Sequence, residues 1–145
     1  MKEELDKKLV KAFPLLYGDR NAPMQSTAMC WGFPGDGWFD LIWDLSSKLE
    51  PLIQKFIDEN QDTELYPKAS QVKEKYGGLR FYMTCGTDEI FDLIEEAEAL
   101  SCETCEECGK PGEERGGGWI HTHCGDCHEN WDKIRSKRWE SEKRR

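Results

Sequence analysis

The 145-residue sequence has no long apolar run, and only charged residues follow its first methionine in the opening Met1-Lys2-Glu3-Glu4. That excludes a membrane helix of about 20 apolar residues and the apolar core of a secretory signal. A soluble protein made in the cytosol is expected. Hydrophobic residues make up 37% of the chain against 34% charged, which builds a core but a thin one. A thin core favours an added staple. Basic side chains are missing altogether from Asp88 to Glu107, a stretch that holds nine acidic ones. The other 20 acids are matched by 20 Lys and Arg, so the whole net charge of −9 lies in that stretch. Such a balance argues against general binding to a phosphate backbone. There is no internal repeat and no nucleophile set beside a base. Gly116-Gly117-Gly118-Trp119 lacks the Lys-Ser/Thr of a phosphate-binding loop, so it reads as a flexible turn. No enzymatic activity is expected.

What is abundant is cysteine, with seven in the chain. In a reducing compartment these point to a metal or to free thiols rather than disulfides. Cys105-x2-Cys108 and Cys124-x2-Cys127 have the spacing with which two tight turns each aim two thiolates at one ion. Gly109 and Gly125 follow a cysteine of each pair, where glycine eases the turn. Cys102-x2-Cys105 has the same spacing; Cys105/Cys108 is preferred because Gly109 follows it and Cys102 still falls in a helical pattern. Four thiolates leave no open position, so one structural Zn2+ is expected. His121, His123 and His128 read as surface or strand residues, and Cys30 and Cys85 as small buried hydrophobes.

The periodicities predict an α+β fold. Leu5, Leu9 and Phe13 mark a short helix ended by Pro14. Residues 14–37 read as a long Gly/Pro-rich loop. Leu41, Leu45, Leu49, Leu52 and Phe56 mark a second helix, kinked or divided at Pro51 and ended by Asn60-Gln61-Asp62. Alternation on both sides of Gly77-Gly78 predicts a β-hairpin with a primed turn over residues 69–84. Thr87 caps a third helix whose apolar face is Ile90, Leu93, Ile94, Ala97 and Leu100. Helices packed on a small antiparallel hairpin sheet would fill residues 1–101. A four-cysteine zinc ribbon would fill 102–128, and a basic helix or tail 129–145, with Trp131, Ile134 and Arg135 at helical spacing.

A second constellation lies in the Gly/Pro loop Cys30-Trp-Gly-Phe-Pro-Gly-Asp-Gly-Trp38 and in the hairpin. Trp31 and Trp38 offer rings for stacking. Lys73 and Lys75 share a strand face, and Tyr76 and Arg80 lie near the turn. Together these form a candidate seat for a small phosphorylated ligand, a nucleotide above all. The competing expectation is that the tryptophans cover a core and the lysines keep a strand edge soluble.

Trp31–Asp40, Gln71–Tyr82 and the cysteine unit from Cys105 to Cys127 together resemble small zinc-ribbon proteins of tailed phages and prophages. The resemblance spans residues 30–128. It implies a phage setting, hence a host bacterial cytoplasm, and the four-cysteine site; it implies no activity. Counter-defence is a common task in that setting, including sponges that sequester cyclic nucleotide signals. The first reading is therefore a non-enzymatic nucleotide-binding protein. The alternatives are an inhibitor or adaptor that docks a protein partner through its acidic helix, and a nucleic-acid-binding ribbon, which the net acidity disfavours.

Overall fold

The computed structural model describes residues 1–61 and 64–144. Helix α1 spans Glu3–Ala12, with Glu3, Glu4 and Asp6 in its first turn and Lys11 in its last, charges that complement the helix dipole. It buries Leu9, and Phe13, the residue that caps its end, is buried too, while Leu5 is half-buried. The segment expected as a long loop is more structured than that, with 3-10 turns at Ala28–Trp31 and Asp36–Trp38. Arg20 fastens it to α1. Its Nε and Nη2 donate to the two carboxylate oxygens of Asp6 at 3.1 and 2.9 Å, and its Nη1 donates to the Cys30 carbonyl at 3.2 Å.

Helix α2 runs unbroken through Phe39–Glu59, so Pro51 neither ends it nor divides it. Pro51 and Ser47, whose carbonyl loses its usual partner, are both exposed, and water can satisfy the freed group. The buried stripe is Leu41, Ile42, Leu45, Ser46, Leu49 and Ile53, with Leu52 and Phe56 only half-buried. Asn60 caps the helix, and Asp62 lies outside the described residues. From the same helix the Glu50 carboxylate accepts the backbone N–H groups of Leu15 and Leu16, both at 2.9 Å. A charge-assisted bond is worth about 1.5–3 kcal/mol. Replacing Glu50 by alanine should lower the unfolding free energy by about 2–4 kcal/mol in urea titrations, and Glu50→Gln by less, because the amide keeps one acceptor. An unchanged urea midpoint in Glu50→Ala would show that the loop is held elsewhere.

Strands β1 (Ala69–Lys75) and β2 (Gly78–Met83) pair antiparallel, with Val72 opposite Phe81 and Lys73 opposite Arg80. The turn residues are Tyr76 and Gly77, with φ of 53° and 78°, rather than Gly77-Gly78; this is the primed geometry, shifted one residue. Gly78 instead opens β2, opposite Lys75. Helix α3 (Asp88–Ser101) begins on Thr87, whose side chain accepts from the Ile90 N–H. It buries Ile90, Ile94, Ala97 and Ser101, whereas Leu100 is exposed. It also covers the outer edge of β2. Ser101 Oγ accepts from Leu79 N at 2.9 Å and Glu98 Oε1 from Phe81 N at 3.0 Å, so the acidic helix supplies acceptors to the sheet. The other edge is met by Leu16, whose carbonyl accepts from Ala69 N, and by Thr27, whose Oγ1 donates to the Ser70 carbonyl.

Leu9, Tyr17, Met29, Trp38, Ile42, Leu49, Ile53, Leu79, Phe81 and Ile90 belong to one buried cluster, all of it before residue 98. The mixture of helices with small antiparallel sheets is an α+β fold. A second two-stranded sheet, β3 (Glu113–Arg115) with β4 (His121–His123), follows the core. Gly117 and Gly118 lie in the connection with φ of 105° and 93°. Helix α4 (Gly125–Lys143) then runs across residue 128 without a break, so the second cysteine pair and the C-terminal segment share one helix. Arg145 lies outside the described residues.

Candidate metal centre

The first cysteine turn is held by backbone bonds before any ligand enters. Gly109, at φ 79°, donates its N–H to the Cys105 carbonyl at 2.9 Å, and Cys105 N donates to the Lys110 carbonyl at 2.8 Å. The second turn is a helix start. Cys124 is the N-cap of α4, and its sulfur accepts from Cys127 N at 3.5 Å. Gly125 is the first residue of that helix, has no positive φ and has open space where a Cβ would go, so its conformation does not require glycine. A Glu106 N–H to Thr122 carbonyl bond of 3.0 Å brings the two turns together.

The result is a cluster in which the sulfurs of Cys105, Cys108, Cys124 and Cys127 lie within 4.8 Å of one another. Cys108 Sγ and Cys124 Sγ are 3.6 Å apart, close to the roughly 3.8 Å that tetrahedral metal–sulfur bonds of about 2.3 Å require. The Cys127 N–H draws the Cys124 thiol down to about 7, whereas burial pushes the Cys127 thiol up. Four thiolates crowded together need a cation before all of them can ionise, and the donor set is one that can hold a metal ion. Cys102 stays outside the cluster: it is exposed and its sulfur faces the Glu98 carbonyl at 3.6 Å. The register therefore runs from Cys105. Cys85 is also exposed and Cys30 half-buried, so neither is the small buried hydrophobe expected from the sequence.

Several contacts seat the unit on the core. Trp38 Nε1 donates to the Thr104 carbonyl at 2.8 Å, Gly37 N to the Glu106 carbonyl at 3.0 Å, and Thr122 Oγ1 to the Gly77 carbonyl at 2.6 Å. The Cα of Gly37 also rests against the first cysteine turn: a Cβ there would collide with the Cys105 carbonyl and stand 2.7 Å from Cys108 N.

The residues expected to bind a small ligand divide. Trp38 is fully buried, so its ring serves the core and the Thr104 bond and is not open to stacking. Trp31 is 74% exposed and lines a cleft of about 320 Å³ with Lys73 and with Trp119, which is itself 64% exposed. The remaining charges on that cleft are acidic: Glu74, Glu106 and Glu107. Burial pushes the Glu106 carboxyl up to about 7. Lys75, Tyr76 and Arg80 do not line the cleft. Lys75 lies over the Tyr76 ring, 5.6 Å from its centre, and Arg80 donates to the Leu79 carbonyl at 3.0 Å. Trp119 and Glu74 continue into an adjoining cleft with the exposed Tyr76 and with Ile120.

The sequence reading missed the three histidines. His121 and His123 are strand residues, as one expectation had it, but both are buried, and both lie against His128. The available signal was His-x-His, which sets two rings on one strand face.

Neither protein-family models, nor curated proteins, nor solved structures match this chain. Among the described residues no helix is long and apolar enough to cross a membrane.

Proposed function

We propose that the chain is a non-enzymatic binding protein, built around one structural zinc ion on Cys105, Cys108, Cys124 and Cys127, that captures a basic segment of a protein partner. Four like sulfur donors suit zinc, and a fully thiolate-bound ion keeps no position for water or substrate. The observation that carries the partner is the pairing of Trp31 and Trp119 on one cleft with Glu74, Glu106 and Glu107. Exposed aromatic faces attract guanidinium and ammonium groups, and carboxylates around them reject anions. The acids come from β1 and the first cysteine turn rather than from the acidic helix. The reading is the inhibitor or adaptor of the phage setting, with its surface relocated.

A second reading, a sponge for a phosphorylated ligand, draws on the hairpin cations, of which Lys73 also lines the cleft. Lys73 and Arg80 sit directly opposite each other, Lys75 is two residues along, and none of the three joins an ion pair among the described residues. Titration with an oligo-arginine peptide and with a panel of cyclic and linear nucleotides separates the two. On the first reading Trp31→Ala weakens the peptide roughly thirtyfold, as loss of a hot-spot aromatic worth about 2 kcal/mol does, while Lys73→Ala/Arg80→Ala leaves it bound. Nucleotide binding lost in Lys73→Ala/Arg80→Ala would favour the sponge instead. No binding of peptide or nucleotide would remove both.

A further inference from the structure

Alternate side chains of β4 place His121 and His123 on one face, and the first turn of α4 brings His128 to them. One ring nitrogen from each lies within 4.8 Å of the other two. A hydrogen bond fixes which nitrogen His121 can offer, and a nearby carboxylate favours one nitrogen of His128. His121 Nδ1 is 3.0 Å from the Trp119 carbonyl. A carbonyl only accepts, so Nδ1 carries the hydrogen and Nε2 the lone pair. His128 Nε2 lies 3.3 Å from Asp132 Oδ2, and the tautomer that turns its hydrogen toward that carboxylate leaves the lone pair on Nδ1.

In that tautomer two lone-pair nitrogens face each other at 3.4 Å. Two acceptors so placed repel unless a cation lies between them. Two nitrogens bound to one tetrahedral ion at about 2.0–2.1 Å are separated by roughly 3.3–3.4 Å. A shared proton would satisfy the same pair, but it leaves His123 without a role. His123 is 2% exposed, and neither of its ring nitrogens has a hydrogen-bond partner. Its Nε2 is 3.6 Å from Glu106 Oε1, beyond hydrogen-bonding reach. A buried imidazole with both nitrogens unpartnered, beside two rings whose lone pairs converge, is what a third ligand looks like before its ion arrives.

The surroundings agree. Bonds from the outer nitrogens of ligand histidines to a carbonyl or carboxylate hold metal-bound imidazoles in place; the Trp119 carbonyl does this for His121, and Asp132 stands beside His128. Trp131 shields the cluster, with its ring centre 4.5 Å from that of His121 and 6.4 Å from that of His123. The nearby cation Arg115 is paired with Glu113 at 2.9 Å.

We propose that His121, His123 and His128 form a second metal site, distinct from the four-cysteine centre, for a divalent transition ion that prefers imidazole, such as zinc, cobalt or nickel. Three neutral imidazoles suit these ions and not calcium or magnesium. Three protein ligands leave a fourth position for water or for Glu106. The site therefore differs in kind from the closed thiolate centre that adjoins it through Cys124 and Cys127.

Cobalt titration of the reduced, metal-free full chain tests this, because thiolate-to-cobalt charge-transfer bands report the cysteine centre alone. Wild type should take up two equivalents, with the charge-transfer bands complete after one. His128→Ala and His123→Leu should each hold one equivalent with those bands undiminished. Asp132→Asn should weaken only the second ion, about tenfold to a hundredfold, as loss of an orienting partner does. Saturation of wild type at one equivalent would overturn the proposal, as would a second equivalent that survives both histidine substitutions. His128 lies outside the buried core, so if circular dichroism shows His123→Leu misfolded, His128→Ala decides alone.

Discussion

Replacing Cys105 by serine should strip the ion from the thiolate centre and melt the unit around it, while the helical core stays folded. Cys105 is fully buried, and the unit contributes no side chain to the main hydrophobic cluster. Two three-residue strands cannot hold themselves together, and a structural zinc supplies about 10–16 kcal/mol of apparent binding energy to small domains of this kind. Metal analysis should show one fewer ion per chain. Amide exchange should become fast from residue 105 to residue 127 and remain slow in α2 and in the hairpin. Cys102→Ser should do neither, because Cys102 lies outside the cluster. Retained metal in Cys105→Ser would shift the ligand set. Global unfolding would show that the core depends on the ion.

Gly37→Ala should be nearly as damaging although it touches no ligand. The added methyl meets the backbone of the first cysteine turn, which cannot rotate away as a side chain would. Relief requires the turn to move off the start of α2, which breaks the bond from Gly37 N to the Glu106 carbonyl and strains the one from Trp38 to Thr104. Overpacking costs about 1–3 kcal/mol and a lost hydrogen bond about 1 kcal/mol more, so a destabilisation of about 2–4 kcal/mol is expected, with weaker metal retention under a competing chelator. Gly125→Ala is the internal control. With open space at its Cβ, it should be neutral or stabilise α4 by up to about 1 kcal/mol. Urea titration of the pair checks both. Equal midpoints would mean that the docking contact at Gly37 carries no energy.

The features legible in the sequence are those written in local spacing. The two Cys-x2-Cys turns, the alternation of the hairpin and the Thr87 cap each depend on neighbours a few residues away, and each appears where the pattern put it. Illegible features depend on remote partners. Trp38 sits in a Gly/Pro loop that looks like a ligand surface. Its burial depends on remote partners, the core cluster and Thr104, 66 residues further on. Leu100 fits the apolar period of α3 yet faces solvent, because the β2 edge beside that helix needed hydrogen-bond acceptors and took Ser101 and Glu98. Pro51 could not be read either, since whether proline interrupts a helix depends on which side of it faces water. The histidines escaped because His-x-His fixes a face but not what that face meets.

Helix α4 buries none of its residues, and its ion pairs run along its own surface, as between Lys133 and Glu129 at 2.8 Å. Its first two turns rest on β4, where the Trp131 ring centre lies 4.5 Å from that of His121. At about 1.5 Å per residue its 19 residues form a mast of roughly 28 Å, stepped into the protein at its foot, where Cys124 and Cys127 would grip a metal ion. The other helices take their bearing from a hydrophobic face. This one would take it in large part from a coordination polyhedron, so the bearing of Trp139 and of the basic end beyond it would follow the angles at a single metal atom.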